Sequence, residues 1–156
     1  YAKVEEKDTI VETIVTAGYE KTAHRAGTGY CYEERDGSFV TPGTINILVF
    51  TNKALTDSAM VKAMMTITEA KTAALQDWGA ESVKLYPFMN EDIPDALTKE
   101  RNTTATGTST DGVILTIDTN GDVLTDAGTF SLFGDTLAKA VYVGVQRALE
   151  NAIDAE

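Results

Sequence analysis

Ala105-Thr106-Gly107-Thr108-Ser109-Thr110-Asp111 brings four hydroxyls, a glycine and a carboxylate into seven residues. Gly107 lets backbone approach a ligand closely, because glycine has no Cβ. Thr106, Thr108, Ser109 and Thr110 offer donors, acceptors and nucleophilic oxygens, and Asp111 stands ready to orient one of them or to act as a base. A polar turn entering a strand has the same composition, so residue types leave both readings open.

Lys71 is the second candidate. On a helical projection at about 100° per residue it falls between Met64 and Ile67, within an apolar face of Met60, Ala63, Met64, Ile67, Ala70, Ala74 and Leu75. A lysine placed there calls for a carboxylate partner or a weakened hold on its proton. Either suits proton transfer or stabilisation of an oxyanion; the alternative is a stem that snorkels to water. Glu69 projects from the opposite, polar face with Lys62, Thr66, Thr72 and Gln76, and is a second candidate base acting on water. Asn46 interrupts an apolar strand, where it either donates to a carbonyl oxygen or makes a structural hydrogen bond. His24 is the only histidine, which excludes a site built from two or more.

Other patterns fail. Asp118 to Asp122 has the start of a calcium loop, but Val123 stands where glycine is required and Thr129 where glutamate is required. Gly27-Thr28-Gly29 lacks the third glycine of a dinucleotide fingerprint. No helical H-E-x-x-H pattern exists, which leaves only a His-Glu zinc site open.

The elements that must position these groups follow from periodicity and punctuation. Residues 9–17 read as a strand, 30–40 as two short strands around Asp36-Gly37, and 44–51 as a central strand. A helix is predicted over 57–78, with Thr56 as N-cap, Leu55 and Met60 as a staple, and Gly79 past its end. Residues 82–86 read as a short strand and 87–104 as a loop, with one helical turn after Asn90. A strand over 112–118 is expected to turn at Asn120-Gly121 and return at Val123-Leu124 as a hairpin. The last helix, over 133–153, buries Leu137, Val141, Gly144, Val145, Ala148, Leu149 and Ala152. The fold class is therefore α+β: a largely antiparallel or mixed sheet packed against two long helices, with one parallel pair across the first helix.

The 156 residues suit one domain, and the net charge is -11. That charge argues against a general nucleic-acid binder and against docking on an anionic membrane. Cys31 is the only cysteine, so no internal disulfide forms, and a cytoplasmic location is expected.

Four stretches together resemble the adenosylcobinamide amidohydrolase family: Thr16-Ala17-Gly18; Gly43-Thr44-Ile45-Asn46-Ile47; Thr68 to Asp77; and Ala105 to Asp111. Their order and spacing match as well. Ser109 stands where the family pattern Thr-Gly-Thr-Gly-Thr-Asp has its second glycine. Thr22 replaces an asparagine before Ala23, and Thr129-Phe130-Ser131 replaces a His-Thr-Lys-like stretch. One domain like that of the family is expected over 1–156, without the longer N-terminal region that family members commonly have.

The resemblance implies hydrolysis of the amide joining aminopropanol to the corrin ring of adenosylcobinamide, giving adenosylcobyric acid in corrinoid salvage. It implies no cofactor and no protein metal, since the cobalt belongs to the substrate. The partner is a small-molecule corrinoid, with a homo-oligomer left open. The residues implied are Lys71, Asp111, Glu69 and Thr108 for catalysis, and Asn46, Thr106, Gly107, Ser109 and His24 for substrate binding. The alternatives are a non-catalytic corrinoid-binding or regulatory paralogue, and an interaction domain without a small ligand.

Overall fold

The computed structural model describes residues 1–19, 23–27, 44–82 and 104–153. The strands expected around Asp36-Gly37, and nearly all of 82–86 and 87–104, lie outside the described residues.

Strand β1 (Ala2–Glu6) alternates buried Ala2 with exposed Lys3 and Glu5. Periodicity alone had not singled it out, because five residues carrying three charges form a weak pattern. Its antiparallel partner β2 (Thr9–Ala17) fixes it, with Ala2 opposite Thr13 and Glu6 opposite Thr9. Strand β3 (Ile45–Thr51) pairs antiparallel with β2, and β5 (Gly112–Thr116) pairs parallel with β3. The order β1-β2-β3-β5 puts β3 inside the sheet, as its apolar run predicts. The chain between β3 and β5 contains the expected first helix, so the parallel pair forms across it.

Helix α1 (Asp57–Trp78) has the predicted ends. Thr56 Oγ1 accepts the Ala59 N–H, and Gly79 adopts φ 74°. The Gly79 and Ala80 N–H groups then close on the Gln76 and Leu75 carbonyls, which is a Schellman ending. Helix α2 (Leu132–Ile153) lies across β1, β2 and β3 and packs against α1. Val11, Val15, Ile45, Ile47 and Val49 meet Ile67, Leu75, Leu137, Val141, Val145 and Leu149 in the core. Each large apolar side chain buried there contributes roughly 1.5–3 kcal/mol.

Two expectations are corrected. Val123-Leu124 does form a strand, β6, but it pairs parallel with β4 (Ala54–Leu55) and not back onto β5. Asp118 Oδ1 accepts the Asn120 N–H, and the Asp118 N–H reaches Lys53 O, so the turn follows the β3–β4 corner. An Asn-Gly pair signals reversal locally and carries no information about that corner. On α1, Thr66 was assigned to the polar face and Met64 to the apolar one. Thr66 is 1% exposed and Met64 39%. Thr66 Oγ1 donates to Ala127 O at 2.7 Å, so the chain before α2 covers that side of the helix.

Candidate active site

Asp111 closes the loop before β5 and collects donors from three elements. Thr108 donates its hydroxyl to Oδ1 at 2.5 Å, and its backbone N–H lies 3.1 and 3.2 Å from the two oxygens. The Ile45 N–H, at the head of β3, reaches Oδ1 at 3.3 Å. From the C-terminal half of α1, Lys71 Nζ forms an ion pair with Oδ2. The two side chains are only 11% and 15% exposed. Lys71 thus has the carboxylate partner its helical position called for. With Met64 turned to solvent, it occupies the margin of the buried face and not its middle.

Gly107 explains how lysine and aspartate come so close to the loop. A Cβ built on it would lie 2.6 Å from Asp111 Oδ2 and 2.9 Å from Lys71 Nζ. The open side of this glycine is filled by the protein's own ion pair, so Gly107 makes room for the pair on the side expected to admit a ligand.

Neighbouring bonds hold the loop to the end of α1. Thr72 Oγ1 donates to Thr106 O at 3.3 Å, and the Ala105 N–H donates to Ala80 O at 2.7 Å. The His24 N–H donates to Gly107 O and His24 O accepts the Thr106 N–H, each at 2.9 Å. Thr106 Oγ1 accepts the Ala26 N–H at 2.9 Å. Residues 23–27 are thereby strapped to the loop, and His24 is brought beside Gly107. Ser109, half-buried, follows Thr108 in the same loop. Thr44 Oγ1 donates to Thr110 O at 2.5 Å. Residue type alone assigns no role to Thr44, Thr72 or the Ile45 amide. The polar Thr72 beside Lys71 was the one available signal, since a backbone amide leaves no trace in residue type.

Two predicted residues stand apart. Ile45 and Ile47 point into the core, so alternation turns Asn46 to the other face of the sheet. There Asn46 Nδ2 donates to Thr16 Oγ1 at 3.4 Å, and its Oδ1 lies over Gly112. Glu69 is exposed and lines a different cleft, of about 350 Å³, between α1 and α2 with Lys139 and Tyr142. The structure does not bring either side chain into the Lys71–Asp111–Thr108 cluster. Among the described residues, no group of three His, Cys, Asp or Glu side chains is placed to hold a metal ion. No described helix is long and apolar enough to cross a membrane.

The arrangement can therefore offer a hydroxyl aligned on a carboxylate, beside a cation. A sequence profile of the adenosylcobinamide amidohydrolase family matches residues 1–86 and 88–156. An uncharacterized protein of Methanocaldococcus jannaschii is 34% identical over 160 residues, covering 95% of this chain and 56% of its own length. An adenosylcobinamide amidohydrolase of Methanosarcina mazei is 30% identical over 134 residues, covering 80% of this chain and 54% of its own. The chain spans about half the length of these curated relatives. No solved structure matches it. The chain belongs to the adenosylcobinamide amidohydrolase family.

Proposed function

We propose that the protein hydrolyses the aminopropanol amide of adenosylcobinamide, giving adenosylcobyric acid for re-entry into cobalamin synthesis in the cytoplasm. The observation that carries this reading is the convergence of three family-like stretches on one carboxylate. Ile45 from the first, Lys71 from the second and Thr108 from the third all donate to Asp111. Amide cleavage needs an activated oxygen, a stabiliser for the oxyanion and an acid for the departing amine. Asp111 orients the Thr108 hydroxyl, and Lys71 supplies the cation for the oxyanion or the proton for the amine. Thr106 and Gly107 build the loop that holds them, and Ser109 and His24, which lie beside it, are assigned to substrate binding. The corrinoid brings its own cobalt as part of the substrate.

The test is incubation of the purified protein with adenosylcobinamide, followed by chromatography. Adenosylcobyric acid is expected, and Lys71→Met and Asp111→Asn should each lower the rate of its formation by about 10²–10³-fold while circular dichroism stays unchanged. Wild-type turnover in both variants would overturn the assignment. Ser109, standing where the family pattern has glycine, favours one other reading, a corrinoid-binding paralogue. Tight corrinoid binding without cleavage, by this chain and by a longer form of it, selects that reading.

A further inference from the structure

We infer that Thr108 Oγ1 is the attacking nucleophile and that hydrolysis passes through a threonyl ester, an inference that rests on the amidohydrolase reading above. A carboxylate has about four lone-pair sites. Those of Asp111 face four donors: the Thr108 hydroxyl, the Thr108 N–H, the Ile45 N–H and the Lys71 ammonium. Asp111 can take a proton from water only after one of these has been displaced. Of the four, one carries an oxygen nucleophile, and its 2.5 Å separation from Oδ1 fits a hydroxyl bonded to a carboxylate.

Two neighbouring hydroxyls are less suited. Thr106 Oγ1 accepts the Ala26 N–H and belongs to the strap. Thr44 Oγ1 is committed to Thr110 O. Thr108 itself is buried beside Asp111, at 7% exposed.

Thr108 Oγ1 bonds to the amide carbon, its proton passes to Asp111 Oδ1, and the carbonyl π pair moves onto oxygen beside Lys71 Nζ. Collapse restores the carbonyl and breaks the C–N bond, and the nitrogen leaves as aminopropanol with the proton from Asp111. Water takes the vacated place and attacks the ester carbon, giving one proton to Asp111. The second collapse returns that proton to Thr108 Oγ1 and releases the carboxylic acid.

The experiment combines the wild type and two variants with two chemical traps. Wild-type protein and Thr108→Ser are mixed with adenosylcobinamide, quenched in acid and digested, and residue 108 is examined by mass spectrometry for the corrinoid acyl group. In parallel, hydroxylamine is added during turnover to divert the ester to a hydroxamate. The expected result is an adduct on residue 108 or a hydroxamate, with turnover retained in Thr108→Ser. Thr108→Val should lose about 10³-fold or more in kcat. A folded Thr108→Val that turns over at the wild-type rate overturns the inference and leaves the amidohydrolase reading standing. So does wild-type turnover with neither adduct nor hydroxamate. Failure of the wild-type protein to release aminopropanol overturns both.

Discussion

Two lysines are withdrawn from water at opposite ends of β3, and their partners make them different. Lys53, just past β3, is 6% exposed at its side chain and reaches Asp8 Oδ2 at 2.6 Å and Asp122 Oδ2 at 3.0 Å. Those two carboxylates are 70% and 77% exposed. Lys71, opposite the start of β3, meets an aspartate that is 15% exposed. At the Lys53 end only the ammonium is taken from water, and the carboxylates that bind it stay hydrated. The result is a tie between the β1–β2 turn and the strand β6. At the Lys71 end both charges are desolvated, which is tolerable only where further hydrogen bonds satisfy them. The Thr108 and Ile45 donors do so for Asp111, and they leave a fixed, polarised hydroxyl. Burial of a lysine thus says little by itself. Burial of its partner separates a structural tie from a preorganised site.

The largest effects should divide along that line. Lys71→Met and Asp111→Asn are expected to lower kcat by about 10²–10³-fold. Truncation to Asp111→Ala should also cost about 3 kcal/mol of stability, because it strands a buried ammonium. Lys53→Met is expected to lower the melting temperature and leave kcat unchanged. Glu69→Gln, on its separate cleft, should leave both unchanged. Product chromatography with parallel thermal melts checks all five variants. A folded Lys53→Met without activity would break the comparison.

A middle-sized effect is expected at Gly107. An added Cβ would sit 2.6 Å from Asp111 Oδ2 and 2.9 Å from Lys71 Nζ. Both are side-chain ends and can shift, so Gly107→Ala should fold. The shifted pair no longer holds Thr108 in line, and displacement on the scale of an ångström costs kcat about 10–100-fold. KM should change little. Unaltered kcat in this variant would mean that the pair works without its close seat on the loop.

What the sequence made legible follows from the range of each signal. Helix α1 was readable to its last residue because Thr56 and Gly79 act within a few residues of themselves. Lys71 was readable because its neighbours at three and four residues define a face. Its pairing with Asp111 spans 40 positions and became visible only when both segments had been placed. The hairpin at Asn120-Gly121 failed for the same reason, since the competitor was a corner some 65 residues earlier in the chain. Asn46 was legible as an anomaly, and the fold sets it apart from the Lys71–Asp111–Thr108 cluster. Alternation fixes that it points opposite to Ile45 and Ile47, but which face carries the helices is a tertiary fact.

The smallest effect concerns proton linkage at the Lys53 end. The Lys53 hydrogen bond, helped by a backbone bond and the lysine's charge, lowers the Asp8 pKa below its ordinary value of 3.8. Hydrogen bonds from Asp8 and Asp122 raise that of Lys53 above 10.5. A lowered carboxyl pKa contributes stability that is present above pH 3.8 and lost as pH falls through the folded value. A raised ammonium pKa contributes stability that is present below pH 10.5 and lost as pH rises through the folded value. Wild type should therefore melt slightly above Asp8→Asn across the neutral range, with the gap closing in acid and narrowing in strong alkali. Solvent around Asp8 keeps the gap small. Melting temperatures of the two proteins at acid, neutral and alkaline pH measure it. A gap that persists well below pH 3.8 would mean that Asp8 stabilises the turn by something other than its charge, and the tie at Lys53 would then be no counterpart to the ion pair at Lys71.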